Sequence, residues 1–336
     1  MFSPIIGFFI SLMVSIFLAL RRSSSLCLWL ALELNILSFL PIIFSERIEA
    51  LIESTFKYFL IQSIGSIIFL TGSLFLLKRS FPLFSLLNTL PIFLKLGVPP
   101  FHGWFVSILS SVSLKTLFIL STIQKWIPLI ILMHIKINTT LVMIVIFSTS
   151  IISLTLGVSR ISFPKILAAS SVNNLIWLIL ASQINPFLLL LVLCIYTILV
   201  LSLVILVKLA GNTNLNRRSR TSPTLLNLIF FSFLSLGGLP PLLGFLRKAA
   251  VVKESLSTFS IELILIIVFR SLFILSYYVS IRISSIISYP IPKNHFNGNL
   301  INASLRSSLL TLNLFIPVSL LLYLTSGAPV FNGPIF

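Results

Sequence analysis

Apolar runs long enough to cross a bilayer recur from one end of this sequence to the other, and no other feature restricts its fold as tightly. A transmembrane helix needs roughly 20 apolar residues. Only helices can satisfy every backbone hydrogen bond inside such a run, because lipid offers no partner. Reading apolar runs against polar breaks gives about eleven spans, near 2–20, 26–44, 56–77, 83–107, 114–133, 139–158, 166–181, 187–209, 224–252, 261–283 and 307–324. With 57% hydrophobic and 9% charged residues, a water-soluble globule would have almost no polar surface. The fold class is therefore all-α integral membrane, one transmembrane domain over 1–336. The first run lacks a basic leader and a small-residue cleavage site, and Arg21 and Arg22 follow it. It reads as a retained helix rather than a signal peptide.

The net charge of +17 raises the question of nucleic acid, but the basic residues are scattered between apolar spans instead of forming a patch interleaved with aromatics, which excludes that class. Dispersed Lys and Arg at helix ends instead set orientation in a bilayer. Summed over alternate loops, twelve basic residues fall on the side of the N-terminus and six on the other. That places the N-terminus on the cytoplasm-equivalent side. Cys27 and Cys194 lie in separate apolar spans with no CxxC or His cluster, so neither a metal site nor redox chemistry is expected within the chain.

An internal repeat interrupts two of the spans. LKLGVPPFHGW at 94–104 and LSLGGLPPLLGF at 234–245 both read L-x-L-G, then one or two residues, then P-P-x-x-G-aromatic. Consecutive prolines remove backbone donors and glycine weakens a helix. Each span is thus predicted to break near Gly97, Pro99 and Pro100, and near Gly237, Gly238, Pro240 and Pro241. Interrupted helices in corresponding positions of two halves are the sequence mark of a transporter pathway.

Ionisable residues then appear where lipid would forbid them. Glu33 lies in the second span, Lys95 just before the first break, Lys125 inside the fifth span, and Lys248 after the second break. Each costs about 2.5–3.5 kcal/mol near the bilayer centre on insertion scales, so they should face one another or water. Burial penalises the charged form of either type and an opposite charge restores it, which lets such groups exchange protons as their separation changes. All six acidic residues are Glu, and Glu33 is the one placed deep in a span. For Glu33 the alternative is a structural partner for a lysine or a polar backbone. For Lys248, beside Arg247 and followed by Lys253, the alternative is that the span simply ends and both side chains snorkel. His102 either extends a proton path or hydrogen-bonds a carbonyl freed by the prolines. Lys165, after Pro164, fits an interfacial anchor or a secondary polar path.

The blocks carrying these residues resemble the subunit 2 family of the proton-pumping NADH:ubiquinone oxidoreductase, the antiporter-like membrane subunits of respiratory complex I. WLALELNILSF at 29–39 is similar to W-x-G-L-E-L-N-x-x-S-F, with Ala31 for the usual Gly. KYFLIQSIGS at 57–66 resembles a K-Y-F-L-x-Q block, and LKLGVPPFHGW resembles L-K-x-G-x-x-P-F-H-x-W. TIQK at 122–125 resembles T-W-Q-K, with Ile123 for Trp. KILAASSVNNLIW at 165–177 is similar to K-x-L-A-x-S-S-I-x-H-x-G-W, and SLGGLPPLLGFLRK at 235–248 to S-L-G-G-L-P-P-x-x-G-F-x-P-K. The resemblance implies an antiporter-like fold of eleven helices in two inverted repeats, here 1–133 and 139–285, followed by a C-terminal helix and tail over 300–336. It implies that Glu33 pairs with Lys95 and that Lys125 and Lys248 continue a proton-transfer axis, with Asn174 on a secondary polar path. Three departures from the family pattern stand out: Asn174 stands where many relatives have His, Arg247 replaces the proline before the last lysine, and Ile123 removes an aromatic beside Lys125.

The implied function is proton translocation coupled to NADH oxidation and ubiquinone reduction elsewhere in the complex. FMN, iron–sulfur clusters and ubiquinone would belong to partner subunits, with no cofactor in this chain. Partners would be the other membrane-arm subunits, lipid, and internal water and protons, in the mitochondrial inner membrane with the N-terminus facing the matrix. The alternatives are a stand-alone or multisubunit cation/proton antiporter and a non-pumping membrane scaffold.

Overall fold

The structure, a computed structural model, describes residues 3–21, 24–45, 49–76, 82–158, 163–211, 223–240 and 242–287. Every regular element within them is helical. They are α1 (Ser3–Leu20), α2 (Ser25–Phe44), α3 (Glu49–Leu76), α4 (Pro82–Leu96), α5 (Gly103–Ser111), α6 (Leu114–Ser121), α7 (Trp126–Leu132), α8 (Thr139–Val158), α9 (Phe163–Ile184), α10 (Pro186–Ala210), α11 (Pro223–Gly237), α12 (Leu243–Ser255) and α13 (Ile261–Ile287). A single 3-10 turn, Ile123–Lys125, separates α6 from α7. Proline opens several helices, as Pro82, Pro164, Pro186 and Pro223 show. A first-turn proline gives up no hydrogen bond that the helix would otherwise make.

Five segments are long and apolar enough to cross a bilayer: Ser25–Phe44, Ile52–Leu74, Leu114–Leu132, Phe163–Ile184 and Pro186–Ala210. The eleven spans expected from the sequence are thus not reached among the described residues. The span at 307–324 and the tail over 300–336 lie outside them, and the spans at 83–107 and 224–252 are each divided into two shorter helices. The third expected span also starts earlier than its apolar run. The helix opens at Glu49, and the exposed side chains of Glu53 and Lys57 form an i,i+4 ion pair at 2.5 Å.

Both divisions fall at the repeat and have the same backbone solution. Gly97 (φ +68°) and Gly238 (φ +83°) adopt the left-handed conformation that L side chains resist. Val98 N–H donates to Phe93 O at 2.9 Å and Gly97 N–H to Leu94 O at 3.2 Å. Leu239 N–H and Gly238 N–H repeat the pattern to Leu234 O and Ser235 O, at 3.2 and 3.1 Å. This is a Schellman ending, in which two terminal carbonyls are satisfied by the residues that leave the helix. It also removes the variable spacing between the two sequence copies. Gly238 corresponds to Gly97, and Pro99/Pro240, Pro100/Pro241 and Gly103/Gly244 follow without a gap, while Gly237 is the last residue of α11. Pro241 itself lies outside the described residues.

α9 is enclosed nearly all round, as befits a helix in the core of a bundle. It packs against α5, α7, α8, α10 and α12. Earlier in the chain α2 packs on α1 and α3, and α3 on α4 and α5. The outside is apolar: Ile10 is 60% exposed, Ile67 60%, Ile144 60% and Phe187 63%. Large apolar side chains directed outward on both halves fit lipid or neighbouring membrane helices as the surroundings.

Candidate functional site: a polar line through three helix interruptions

The line begins on α2. Glu33 is half-buried, and its carboxylate accepts a short hydrogen bond from the Ser66 hydroxyl of α3. Lys95, in the last turn of α4, is 5% exposed, and its Nζ has no hydrogen-bond partner among the described residues. Glu33 is the opposite charge acting on this amine, although the two are not hydrogen-bonded to each other. The lysine stem crosses α3 at Gly65, where a Cβ would stand 3.0 Å from its Cγ. The Lys95 carbonyl, released by the break, accepts from Gln62 Nε2 at 3.2 Å, and the Leu94 carbonyl accepts from Trp104 Nε1 at 3.0 Å.

From there the polar groups continue to the 3-10 turn. Asn35 Nδ2 and the Tyr58 hydroxyl both donate to Gln124 Oε1, at 2.8 and 3.1 Å. Lys125 is the next residue. It is 2% exposed, its Nζ lies 5.1 Å from the Phe105 ring centroid and 5.3 Å from that of Tyr196, and it reaches Ser171 O at 3.4 Å. Aromatic faces and one distant carbonyl hold an ammonium loosely. That suits a group that exchanges its proton better than a fixed ion pair would.

The second repeat closes the line. Lys248, on α12, is 6% exposed; its Nζ donates to Gly237 O at the end of α11 and lies 5.5 Å from the Trp177 ring centroid. Arg247 is fully buried. Its Nη2 donates to Asn174 Oδ1 at 2.8 Å and faces Leu236 O at 3.5 Å, and its guanidinium carbon lies 5.6 Å from the Tyr196 ring centroid. The snorkelling alternative for this pair therefore does not hold. Carbonyls freed at the first break are taken by Trp and Gln, and those at the second by Arg and Lys.

The secondary candidates divide. Asn174 is 1% exposed and on the line. His102 is half-buried between the first break and α5, with Nδ1 facing Pro100 O at 3.1 Å; this is the carbonyl contact, and no hydrogen bond joins it to the lysines. Lys165 is half-buried in the first turn of α9, about two turns ahead of Ser171, and makes none of these contacts.

Several members went unremarked in the sequence. Tyr58, Gln62 and Ser66 recur every fourth residue along α3, a polar stripe at helical period in an apolar span that could have revealed them. Asn35 lies in the WLALELNILSF block and Gln124 in TIQK, where their amides alone gave no sign of a shared contact. Arg270 is 7% exposed, and none of its guanidinium nitrogens has a hydrogen-bond partner among the described residues. A lone arginine within an apolar span was the available signal. No cluster of three or more metal-ligating side chains occurs among the described residues.

Known proteins resemble the chain in sequence and in fold. The family described as NADH:quinone oxidoreductase/Mrp antiporter, TM, matches residues 23–274. A Gallus gallus protein named NADH-ubiquinone oxidoreductase chain 2 is 33% identical over 296 residues, covering 84% of this chain and 85% of that one. Among solved structures, a chain of respiratory complex I from Thermus thermophilus superposes with a TM-score of 0.74 at 18% identity, covering 93% of this chain and 77% of that chain. A chain of the Mrp complex from Dietzia sp. superposes with a TM-score of 0.72 at 18% identity, covering 84% and 60%. With three quarters of its length matched by the family model and a relative 33% identical over most of both chains, the chain belongs to the NADH:quinone oxidoreductase/Mrp antiporter transmembrane family.

Proposed function

We propose that this chain is a proton-translocating membrane-arm subunit of NADH:ubiquinone oxidoreductase, in which Glu33, Lys95, Lys125 and Lys248 pass protons through the membrane interior. The observation that carries the reading is one run of buried polar groups from α2 to α12 that meets a lysine at each helix interruption. Lysine Nζ atoms held by no more than one carbonyl, as Lys95, Lys125 and Lys248 are, gain and lose protons more readily than amines locked in tight ion pairs. NADH oxidation and quinone reduction would occur in partner subunits that hold FMN, iron–sulfur clusters and ubiquinone. Movement of Glu33 relative to Lys95 would bias the first amine, and the lysines beyond would follow. In this reading the chain spans the mitochondrial inner membrane eleven times as two inverted repeats, 1–133 and 139–285, with the N-terminus in the matrix.

Sequence relatedness to complex I chains over most of both lengths favours this reading above a cation/proton antiporter. A non-pumping scaffold would have no use for three buried lysines, each near the bilayer cost of an unpaired amine. The test is Glu33→Gln, which keeps an oxygen for Ser66 and removes the charge acting on Lys95. Proton pumping and coupled quinone reduction should fall together while the complex still assembles. Wild-type pumping in that variant would remove Glu33 from the mechanism.

A further inference from the structure

Three cations of the site dock on one helix at regular intervals. On α9, Ser171 O receives Lys125, Asn174 receives Arg247, and the Trp177 ring lies beside Lys248. Residues three apart lie on the same side of a helix, so these are successive rungs about 4.5 Å apart. Arg247 occupies the middle rung. Both residues at that rung, Asn174 and Arg247, are departures from the family pattern, and they are hydrogen-bonded to each other.

We propose that Arg247, anchored by Asn174, is a fixed cation between Lys125 and Lys248 that prevents the two amines from holding protons at the same time, so that this stretch passes one proton per step. The inference rests on the proton-relay reading above. A guanidinium does not give up its proton under working conditions, so Arg247 is not itself a stage of the relay. It acts through its charge, which bears on Lys125 and on Lys248 alike. The other groups facing it are Tyr196 of α10 and Tyr278 of α13, with Arg270 of α13 acting on Lys248 as well. No described carboxylate contacts the cluster to cancel that charge, and low polarity leaves it weakly screened. In each step an N–H bond breaks at the Lys125 ammonium and one forms at the Lys248 amine. Intervening water carries the proton across the two rungs. Asn174 Nδ2 and Arg247 Nε and Nη1, which have no partner among the described residues, are donors placed to orient that water.

Proton pumping per NADH oxidised, measured in membranes carrying the assembled complex, tests the proposal. Asn174→Asp keeps the shape and the hydrogen bond but sets a counter-charge against the guanidinium, so pumping should fall by roughly tenfold or more. Arg247→Gln keeps hydrogen-bonding capacity without charge and should fall likewise, while Arg247→Lys retains the charge and should rescue most of the pumping. A purely structural arginine predicts the reverse ranking: Asn174→Asp near wild type, and Gln at least as good as Lys at position 247. Either result overturns the fixed-charge role. If Arg247→Gln does not assemble, Asn174→Asp, which leaves the guanidinium in place, decides alone. Lys125→Met in the same membranes separates the two ideas. Normal pumping there removes the relay itself, whereas loss there beside a normal Asn174→Asp removes only the fixed charge.

Discussion

Lys95 is held where it is by an absence of side chain on the opposite helix. Its stem crosses α3 at Gly65, and a methyl group there would stand 3.0 Å from Lys95 Cγ and 3.1 Å from Cε. Alanine is the better helix former by about 1 kcal/mol, so Gly65→Ala should leave the fold intact or improve it. The lysine stem must nevertheless give by a few tenths of an ångström, which moves its amine relative to Glu33. Misplacement by about 1 Å can cost on the order of 10²-fold in rate. The expected outcome is normal assembly with pumping per NADH reduced several-fold. Gly7→Ala, in α1 where a Cβ would meet nothing within 4 Å, supplies the control and should pump as wild type. Equal pumping in the two variants would place Lys95 off the path.

At the scale of elements, two of the three interruptions were legible in advance and the third was not. The doubled prolines with glycine marked the breaks after α4 and α11, because both residue types oppose a continuous helix. TIQK contains neither, and the apolar run leading into it carries no mark of a break. The cue lay downstream: Pro128 would remove the hydrogen bond to the Gln124 carbonyl four residues earlier and clash with it. Ending α6 at Ser121 and restarting at Trp126 puts Pro128 in the first turn of α7, where its missing N–H costs nothing. Thr122 Oγ1, which donates to Phe118 O at 2.6 Å, takes up a carbonyl at the end of α6. The turn then presents Gln124 to two buried donors. Gln124→Leu would strand Asn35 and Tyr58, at about 1–3 kcal/mol for each unsatisfied group. Thermal dissociation of the complex should therefore shift to lower temperature. Adding Tyr58→Phe should recover part of the loss, because one stranded donor disappears. Simple additivity of the two changes would show that Gln124 does not tie these helices together.

At the scale of the whole molecule, the site is where the two halves meet. α5 packs on α9 and α6 on α10, while α12 closes against both α9 and α10. Lys125 therefore comes from the first half and docks on Ser171 of the second. None of this meeting could be read from apolar periodicity, which finds helices but not their neighbours. The burial of Lys95, Lys125 and Lys248 was legible, because their positions within apolar runs required it. The pairing of Asn174 with Arg247 was not, since 73 residues separate them and each looked like an unrelated loss of the family pattern. In the proposed relay, a line with one member in each region behaves as a series, in which every proton passes every station. Lys95→Met alone should stop pumping nearly as completely as Lys125→Met alone, and the double variant should be no worse than either, the behaviour of groups that act as a unit. Two independent paths would instead leave partial pumping in each single variant and multiply the losses in the double. Proton uptake per NADH in sealed membranes separates these outcomes, and a double variant clearly worse than both singles would break the line into two.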